Sequence, residues 1–296
     1  MRYVVFALNA VLQDPFERRR ERKLARYPRR AEDLIVEVRD PRHLSDSEAA
    51  EIRRLCAVAN MAVYASPLAD LADKDMARRL GERLGLARLH ANPLADEDGI
   101  SSLEVATQKS ERGYIPYSNR RLLWHTDGYY NAPAQRIRAF LLHCVRPAAE
   151  GGENRLLDPE IAYILLRDAD PRYVEALSAP DAMTIPANEE DPAAQRAART
   201  GPVFSDDGGV LHMRYTARTR SIEWRPDEAT RAAVQYLKQI LDSDSPYVFT
   251  LRLAAGQGLV CNNVLHDRSE FTDPIDAPGA GRLVYRARYA ERIGPA

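Results

Sequence analysis

The pattern of apolar and polar positions changes about a third of the way along the chain. Before residue 100 the apolar residues recur at helical intervals. Ser45 and Glu48 have capping-box spacing, and Ile52, Leu55, Cys56 and Ala59 follow on one helical face. Met76, Leu80 and Leu84 mark a second amphipathic helix. Near the start, Tyr3–Leu8 is a short apolar run after Arg2. Asn9 interrupts it, and Asp14-Pro15 and an arginine cluster follow without a small-residue cleavage site, so it reads as an opening strand rather than a signal peptide. Beyond residue 100 the period falls towards two. Strands are predicted over 136–145, 202–215, 247–253, 259–265 and 282–289, with a hairpin turn at Asp206-Asp207-Gly208-Gly209. Helices are interspersed. Asp158-Pro159 and Asp170-Pro171 pair a cap residue with a first-turn proline, and Pro226 opens a helix carrying Val234, Leu237 and Leu241. Residues 186–201 are polar and Ala-rich with no core pattern, and read either as a lid over a site or as a surface insertion.

This order predicts a mostly helical part over residues 1–100 and a mainly β core with helical insertions over 100–290. Length and composition suit a globular chain: 296 residues, 45% apolar and 29% charged. The net charge of −1 disfavours bulk-charge binding of nucleic acid, and no apolar run is long enough to span a membrane as a helix. Residues 17–30 are the exception, with eight Lys or Arg in fourteen positions. They read as a solvated helix face, with an anionic partner as the alternative. Three cysteines, Cys56, Cys144 and Cys261, form no disulfide framework and suit a reducing, cytoplasmic compartment. A homo-oligomer is compatible with the sequence.

The sharpest local feature is His125-Thr126-Asp127. Residues i and i+2 of an extended segment share a face, so an imidazole and a carboxylate can converge there. They are two legs of a facial two-His-one-carboxylate iron site, whose third leg must come from elsewhere. Among the other histidines, His143 lies mid-strand and reads as a buried core residue, His212 as a cavity-lining candidate, and His43 and His90 as surface or helix-end residues. His266 ends an apolar strand at Leu265-His266-Asp267-Arg268, where a metal ligand would face a cavity. In the last strand, alternation puts Arg282, Val284, Arg286 and Arg288 on one face. Guanidiniums facing an interior are costly unless they meet anions, so this strand looks built for a carboxylate ligand. An edge strand facing water is the alternative.

Four ordered blocks, His125-Thr126-Asp127, Gly151-Gly152-Glu153-Asn154, Leu265-His266-Asp267-Arg268 and Gly281-Arg282-Leu283, resemble Fe(II)/2-oxoglutarate dioxygenases of the taurine dioxygenase/γ-butyrobetaine hydroxylase superfamily, on its clavaminate synthase-like side. The resemblance spans roughly residues 100–290. It implies one dioxygenase domain over 1–296: a cupin-like double-stranded β-helix, or jelly roll, flanked by α-helices. It implies Fe(II) on His125, Asp127 and His266, and 2-oxoglutarate held by Arg282 and Asn154 with Arg286 nearby. With O2, such an enzyme hydroxylates or desaturates a C–H bond of a small polar, anionic or zwitterionic substrate and releases succinate and CO2. Asp127 argues against halogenation, since the related halogenases lack that carboxylate. Asn154 replaces the family's usual Thr or Ser. Asp267 replaces its usual Gly and would add a negative charge beside the metal. Tyr114, Tyr117 and Asn119 before the motif, and Tyr129, Tyr130 and Asn131 after it, are candidates for a substrate wall. Arg214, Arg218 and Arg220 would add positive charge. Two other functions would use the same pocket: a Zn(II) hydrolase on the same ligands, which leaves the paired arginines unexplained, and a non-catalytic jelly-roll binding protein.

Overall fold

A computed structural model describes residues 16–68, 72–90, 99–105, 115–188, 195–218, 222–274 and 280–294. The expected opening strand at 3–8, Tyr114, Arg220 and the middle of the 186–201 segment lie outside the described residues.

The chain begins with α1 (Phe16–Arg26), β1 (Ile35–Glu37), α2 (Asp46–Ala59), β2 (Met61–Ala65), α3 (Lys74–Arg83), β3 (Ser101–Leu103) and β4 (Leu122–His125). There follow β5 (Ala139–Arg146), β6 (Glu150–Gly151), β7 (Asn154–Leu157), α4 (Pro159–Ala169), α5 (Pro171–Leu177), β8 (Met183–Ile185) and β9 (Arg199–Gly201). The rest is β10 (Phe204–Asp206), β11 (Leu211–Met213), β12 (Glu223–Trp224), α6 (Glu228–Asp242), β13 (Phe249–Leu251), β14 (Gln257–Cys261), β15 (Leu265–Arg268), β16 (Phe271–Thr272) and β17 (Leu283–Tyr289).

The expected caps form. The Ser45 hydroxyl accepts from the Glu48 N–H while the Glu48 carboxylate accepts from the Ser45 N–H, closing the capping box of α2. Asp158 and Asp170 cap α4 and α5, each followed by proline. The β10–β11 hairpin turns through Gly208 and Gly209, both at positive φ.

Two sheets face each other in a jelly roll. The larger has six strands in the order β1-β2-β14-β5-β17-β3, and the smaller four, β13-β7-β15-β4. Burial explains the sequence of β17, all seven of whose residues are buried. One face, with Leu283, Tyr285, Ala287 and Tyr289, packs with Met76, Ala77 and Leu80 of α3. The other face, with Val284, joins Phe140, Leu142 and Cys144 of β5 in the core between the sheets. Arg282, Arg286 and Arg288 share the face of Val284, so they point inward and not to water.

Three expectations need correction. The part before residue 100 is helical at α1, α2 and α3, but β1 and β2 belong to the larger sheet, with β2 paired to β14. The run 259–265 is not one strand. It breaks at Asn262-Asn263, where Asn263 adopts φ 49, and the chain passes from β14 in the larger sheet to β15 in the smaller. An asparagine tolerates that left-handed conformation better than most residues, so this break is chemically encoded. The basic stretch is only partly a solvated face. Lys23 reaches Asp158 at 2.5 Å and Glu160 at 2.7 Å, and Arg20 meets Asp168 at 2.7 Å, docking α1 on α4.

Gly258 in β14 has no room for a side chain, because a Cβ there would overlap the Tyr64 ring and the Leu142 carbonyl. Gly258→Ala is expected to destabilise the protein by at least ~1–3 kcal/mol in urea denaturation, the usual cost of overpacking. Unchanged stability would contradict this packing.

Candidate active site

The site forms where β4 ends and β15 begins. His125 and His266 are register partners across the β4–β15 pair, and their rings stand 4.1 Å apart, centroid to centroid. In each ring Nδ1 lies 2.9 Å from a backbone carbonyl two residues back, Leu123 O for His125 and Val264 O for His266. A carbonyl can only accept, so Nδ1 carries the proton and Nε2 keeps its lone pair. This second contact orients a metal-binding imidazole.

Asp127 follows two residues after His125, beyond the end of β4. The side chain of Asn263 holds it there. The Asp127 N–H donates to Asn263 Oδ1 at 2.8 Å, and Asn263 Nδ2 donates to Asp127 O at 2.9 Å and to Ile137 O at 2.7 Å. The strand break therefore positions both His266, three residues on, and Asp127, 136 residues away in sequence. Asp127 Oδ1 lies 3.5 Å from His125 Nε2, and Oδ2 is buried without a hydrogen-bond partner. Ligand atoms of the three residues lie within 4.8 Å of one another, the one such group among the described residues. Two neutral imidazole nitrogens and a carboxylate with an unpartnered buried oxygen fit a divalent metal of the iron type.

The electrostatics agree. Burial drives the His266 imidazole down from 6.5 to about 3, with the adjacent His125 adding to the effect, so it stays neutral and able to ligate. Burial alone would raise the Asp127 carboxyl. The Arg286 guanidinium, then His125, Arg288 and His266, override it and hold Asp127 well below its usual range. Arg286 Nη1 stands 3.9 Å from Asp127 Oδ1, and its buried Nε has no partner.

The other expected residues fall into those beside the three ligands, those lining a separate small cavity and those drawn elsewhere. Arg282 and Asn154 line one small cavity with Cys144, Gly152, Arg252 and Val284. The Arg282 guanidinium also lies over the Phe271 ring at 5.2 Å. Tyr129 meets His125 edge-on at 6.5 Å between centroids, and Tyr130 at 5.1 Å. Asn131 meets His90 instead, its Nδ2 lying 3.1 Å from His90 Nε2. Arg214, however, is a latch. Its guanidinium donates to the carbonyls of Met183, Arg199, Gly201 and Pro202, which engages four of its five N–H donors in backbone contacts. Arg218 lies two residues past Thr216, which bridges to His125, and its N–H donates to Thr216 Oγ1. Asp267 does not flank the metal ligands. Alternation along β15 turns it to the opposite face from His266, where Arg155 donates to both of its oxygens.

Of the remaining histidines, His143 is a core residue bonded to Tyr64 Oη at 2.8 Å. His212 lines a different cavity, with Asn262, Asn263 and Arg292. His43 is exposed beside Asp40. His90 is neither on the surface nor at a helix end: it is half-buried beside Asn131 and bonded through its backbone to β17. Its neighbours come from residues 131 and 288, contacts that no local pattern announces.

Comparison with known proteins decides the class. Residues 22–288 match the family described as taurine catabolism dioxygenase TauD, TfdA. The chain belongs to that dioxygenase family. A uridine-5'-phosphate dioxygenase from Amycolatopsis sp is 32% identical over 252 residues, covering 79% of this chain and 84% of that protein. Among solved structures, asparagine oxygenase in complex with Fe(II), hydroxyasparagine and succinate aligns with TM-score 0.60 at 18% identity, over 82% of this chain and 78% of its own. Non-heme iron oxygenase OrfP in complex with Fe, succinate and (3S)-hydroxy-L-Arg aligns with TM-score 0.64 at 16% identity, over 83% and 81%. These share the jelly-roll fold expected from the sequence, and the family match bears out the expected dioxygenase class.

Two outcomes follow from the geometry. A histidine whose folded value is depressed supplies stability above its unfolded value and loses it on acidification. Apoprotein stability should therefore fall as pH drops from 6.5 towards about 3, and His266→Asn should flatten that dependence in urea melts at several pH values. An unaltered slope would contradict the assigned burial. Asn263→Ala should leave the ligands in place but free the Asp127 backbone, weakening Fe(II) binding by ~10–100-fold, as losses of ligand-orienting partners do. Wild-type affinity in that variant, measured by competition with a chelator, would remove Asn263 from the account.

Proposed function

We propose that the chain is an Fe(II)- and 2-oxoglutarate-dependent dioxygenase that hydroxylates a C–H bond of a small polar anion, a nucleoside 5'-phosphate or a close analogue, with succinate and CO2 as co-products. The observation that carries this reading is the buried His125–Asp127–His266 group, with both Nε2 lone pairs free and an unpartnered carboxylate oxygen. When bound there, Fe(II) with 2-oxoglutarate and O2 supplies the oxidising power for C–H hydroxylation. The curated uridine-5'-phosphate dioxygenase relative supports the substrate class.

The protein's own residues bind and orient. His125, Asp127 and His266 would hold the metal. Arg282 and Asn154, which share a cavity, take the distal carboxylate of 2-oxoglutarate by charge-assisted hydrogen bonds. The Asn154 amide N–H serves as donor in place of a hydroxyl. Arg286, 3.9 Å from Asp127, would lie near the co-substrate or substrate. Tyr129 and Tyr130 wall the ligands and limit water. We also read residues 1–296 as one domain, since β2 lies in the same sheet as β5 and β17. A zinc hydrolase would leave the inward arginines without a partner, so the iron reading is favoured.

Anaerobic addition of Fe(II) and 2-oxoglutarate should produce a weak visible charge-transfer band. His125→Ala should lose the band and the slow, substrate-independent release of succinate. Arg282→Gln should keep metal binding but need at least about tenfold more 2-oxoglutarate, the loss expected for one charge-assisted hydrogen bond. Succinate release retained in His125→Ala would sink the ligand assignment.

A further inference from the structure

Arg288 is the inward guanidinium of β17 to which the reaction above gives no ligand, although its charge helps to hold Asp127 ionised. It is 5% exposed, yet among the described residues its side chain makes no hydrogen bond and no ion pair. Arg282 likewise has no side-chain hydrogen bond or ion pair among the described residues, but it lies over the Phe271 ring and is assigned to the co-substrate; the other two buried arginines differ. Arg268 donates to the carbonyls of Ser118 and Arg120, and Arg286 faces Asp127. A buried cation without a partner is costly, and such a group is expected where a ligand completes it.

Its position is fixed by register. Arg288 lies opposite Phe140 across the β17–β5 pair, and the Phe140 ring packs on His266 at 4.7 Å between centroids. Arg288 therefore stands on the metal-facing side of the larger sheet, one pleat repeat beyond Arg286.

His90 stands beside it, its N–H donating to Arg288 O at 2.7 Å. Asn131 Nδ2 also donates to Gln135 O, which fixes the orientation of the amide. Asn131 thus donates to His90 Nε2 at 3.1 Å, and the proton of a neutral His90 must sit on Nδ1, which is buried and unpartnered. Burial and then the charge of Arg288 lower the His90 value, which keeps the ring neutral at physiological pH. An unpartnered guanidinium and an unpartnered N–H donor thus lie together at the rim of the metal cluster. Arg286 faces Asp127 at 3.9 Å and the charge of Arg288 also acts on that carboxylate, which is the proposed metal ligand. The rim keeps a surplus of positive charge once the metal and its dianionic co-substrate have offset each other.

We propose that Arg288, assisted by the Nδ1–H of His90, binds the phosphate oxyanion of the substrate; this rests on the dioxygenase reading above and adds the residues that recognise the anion. Arg288 is then a specificity determinant that selects phosphorylated over unphosphorylated substrates.

The probe is inorganic phosphate, titrated calorimetrically into protein loaded anaerobically with Fe(II) and 2-oxoglutarate, so that Arg282 is already occupied. Wild type should bind phosphate. Arg288→Gln should weaken it at least about tenfold while the visible 2-oxoglutarate band still forms. Arg288→Lys should restore part of the affinity, which a purely structural role would not predict. His90→Ala should give a smaller loss, and it carries the test if Arg288→Gln does not fold. Equal phosphate affinity in wild type, Arg288→Gln and His90→Ala, or no binding by wild type, would overturn the proposal. If wild type forms no band, the dioxygenase reading is what fails, and phosphate titration of the metal-free variants still decides the anion site.

Discussion

The structure turns on the three hydrogen bonds made by the Asn263 side chain. β14 belongs to the larger sheet and β15 to the smaller, and the chain crosses between them at Asn262-Asn263. At that crossing the Asn263 amide seizes the backbone of Asp127 on both its N–H and carbonyl sides, and also Ile137 just before β5. One buried amide thus joins the metal-binding loop, the core strand β5 and the entry to β15. Three satisfied bonds on one buried side chain are a rigid arrangement, because releasing any of them leaves a polar group unpaired in the core.

The rest of the site follows from this joint and from sheet register. Pairing of β4 with β15 places His125 against His266, and carbonyls two residues back set both tautomers. Alternation along β17 sends Arg282, Arg286 and Arg288 inward, while α3 covers the opposite face. Burying three guanidiniums opposes folding unless anions meet them. Asp127 answers part of that cost, and carboxylate and phosphate ligands answer the remainder in the proposed reading. Binding and stability are therefore coupled in this core.

Much of the site was legible because the chemistry repeats in short strings. His125-Thr126-Asp127 and the alternating arginines each point to one face by simple periodicity, and His266 stands out beside an apolar run, although it lies at the start of β15 and not at a strand's end. The strands at β5, β13 and β17 fall close to their predicted ranges, since each combines an apolar run with turn residues. What stayed hidden depended on long-range pairing. The break at Asn262-Asn263 lies inside an apolar run that reads as continuous. His90 enters the site through residues 131 and 288. Arg214 looked available in sequence, but four carbonyls of β8, β9 and Pro202 engage it. Asp267 failed for a simpler reason: it is adjacent to His266, and neighbours in a strand face opposite ways.

The most direct test of the account is an anaerobic crystal structure of the protein loaded with Fe(II) and 2-oxoglutarate. It should show the metal on Nε2 of His125, Nε2 of His266 and the Asp127 carboxylate, with the distal carboxylate of 2-oxoglutarate on Arg282. Metal held by other residues, or a co-substrate that leaves Arg282 unpaired, would contradict the account.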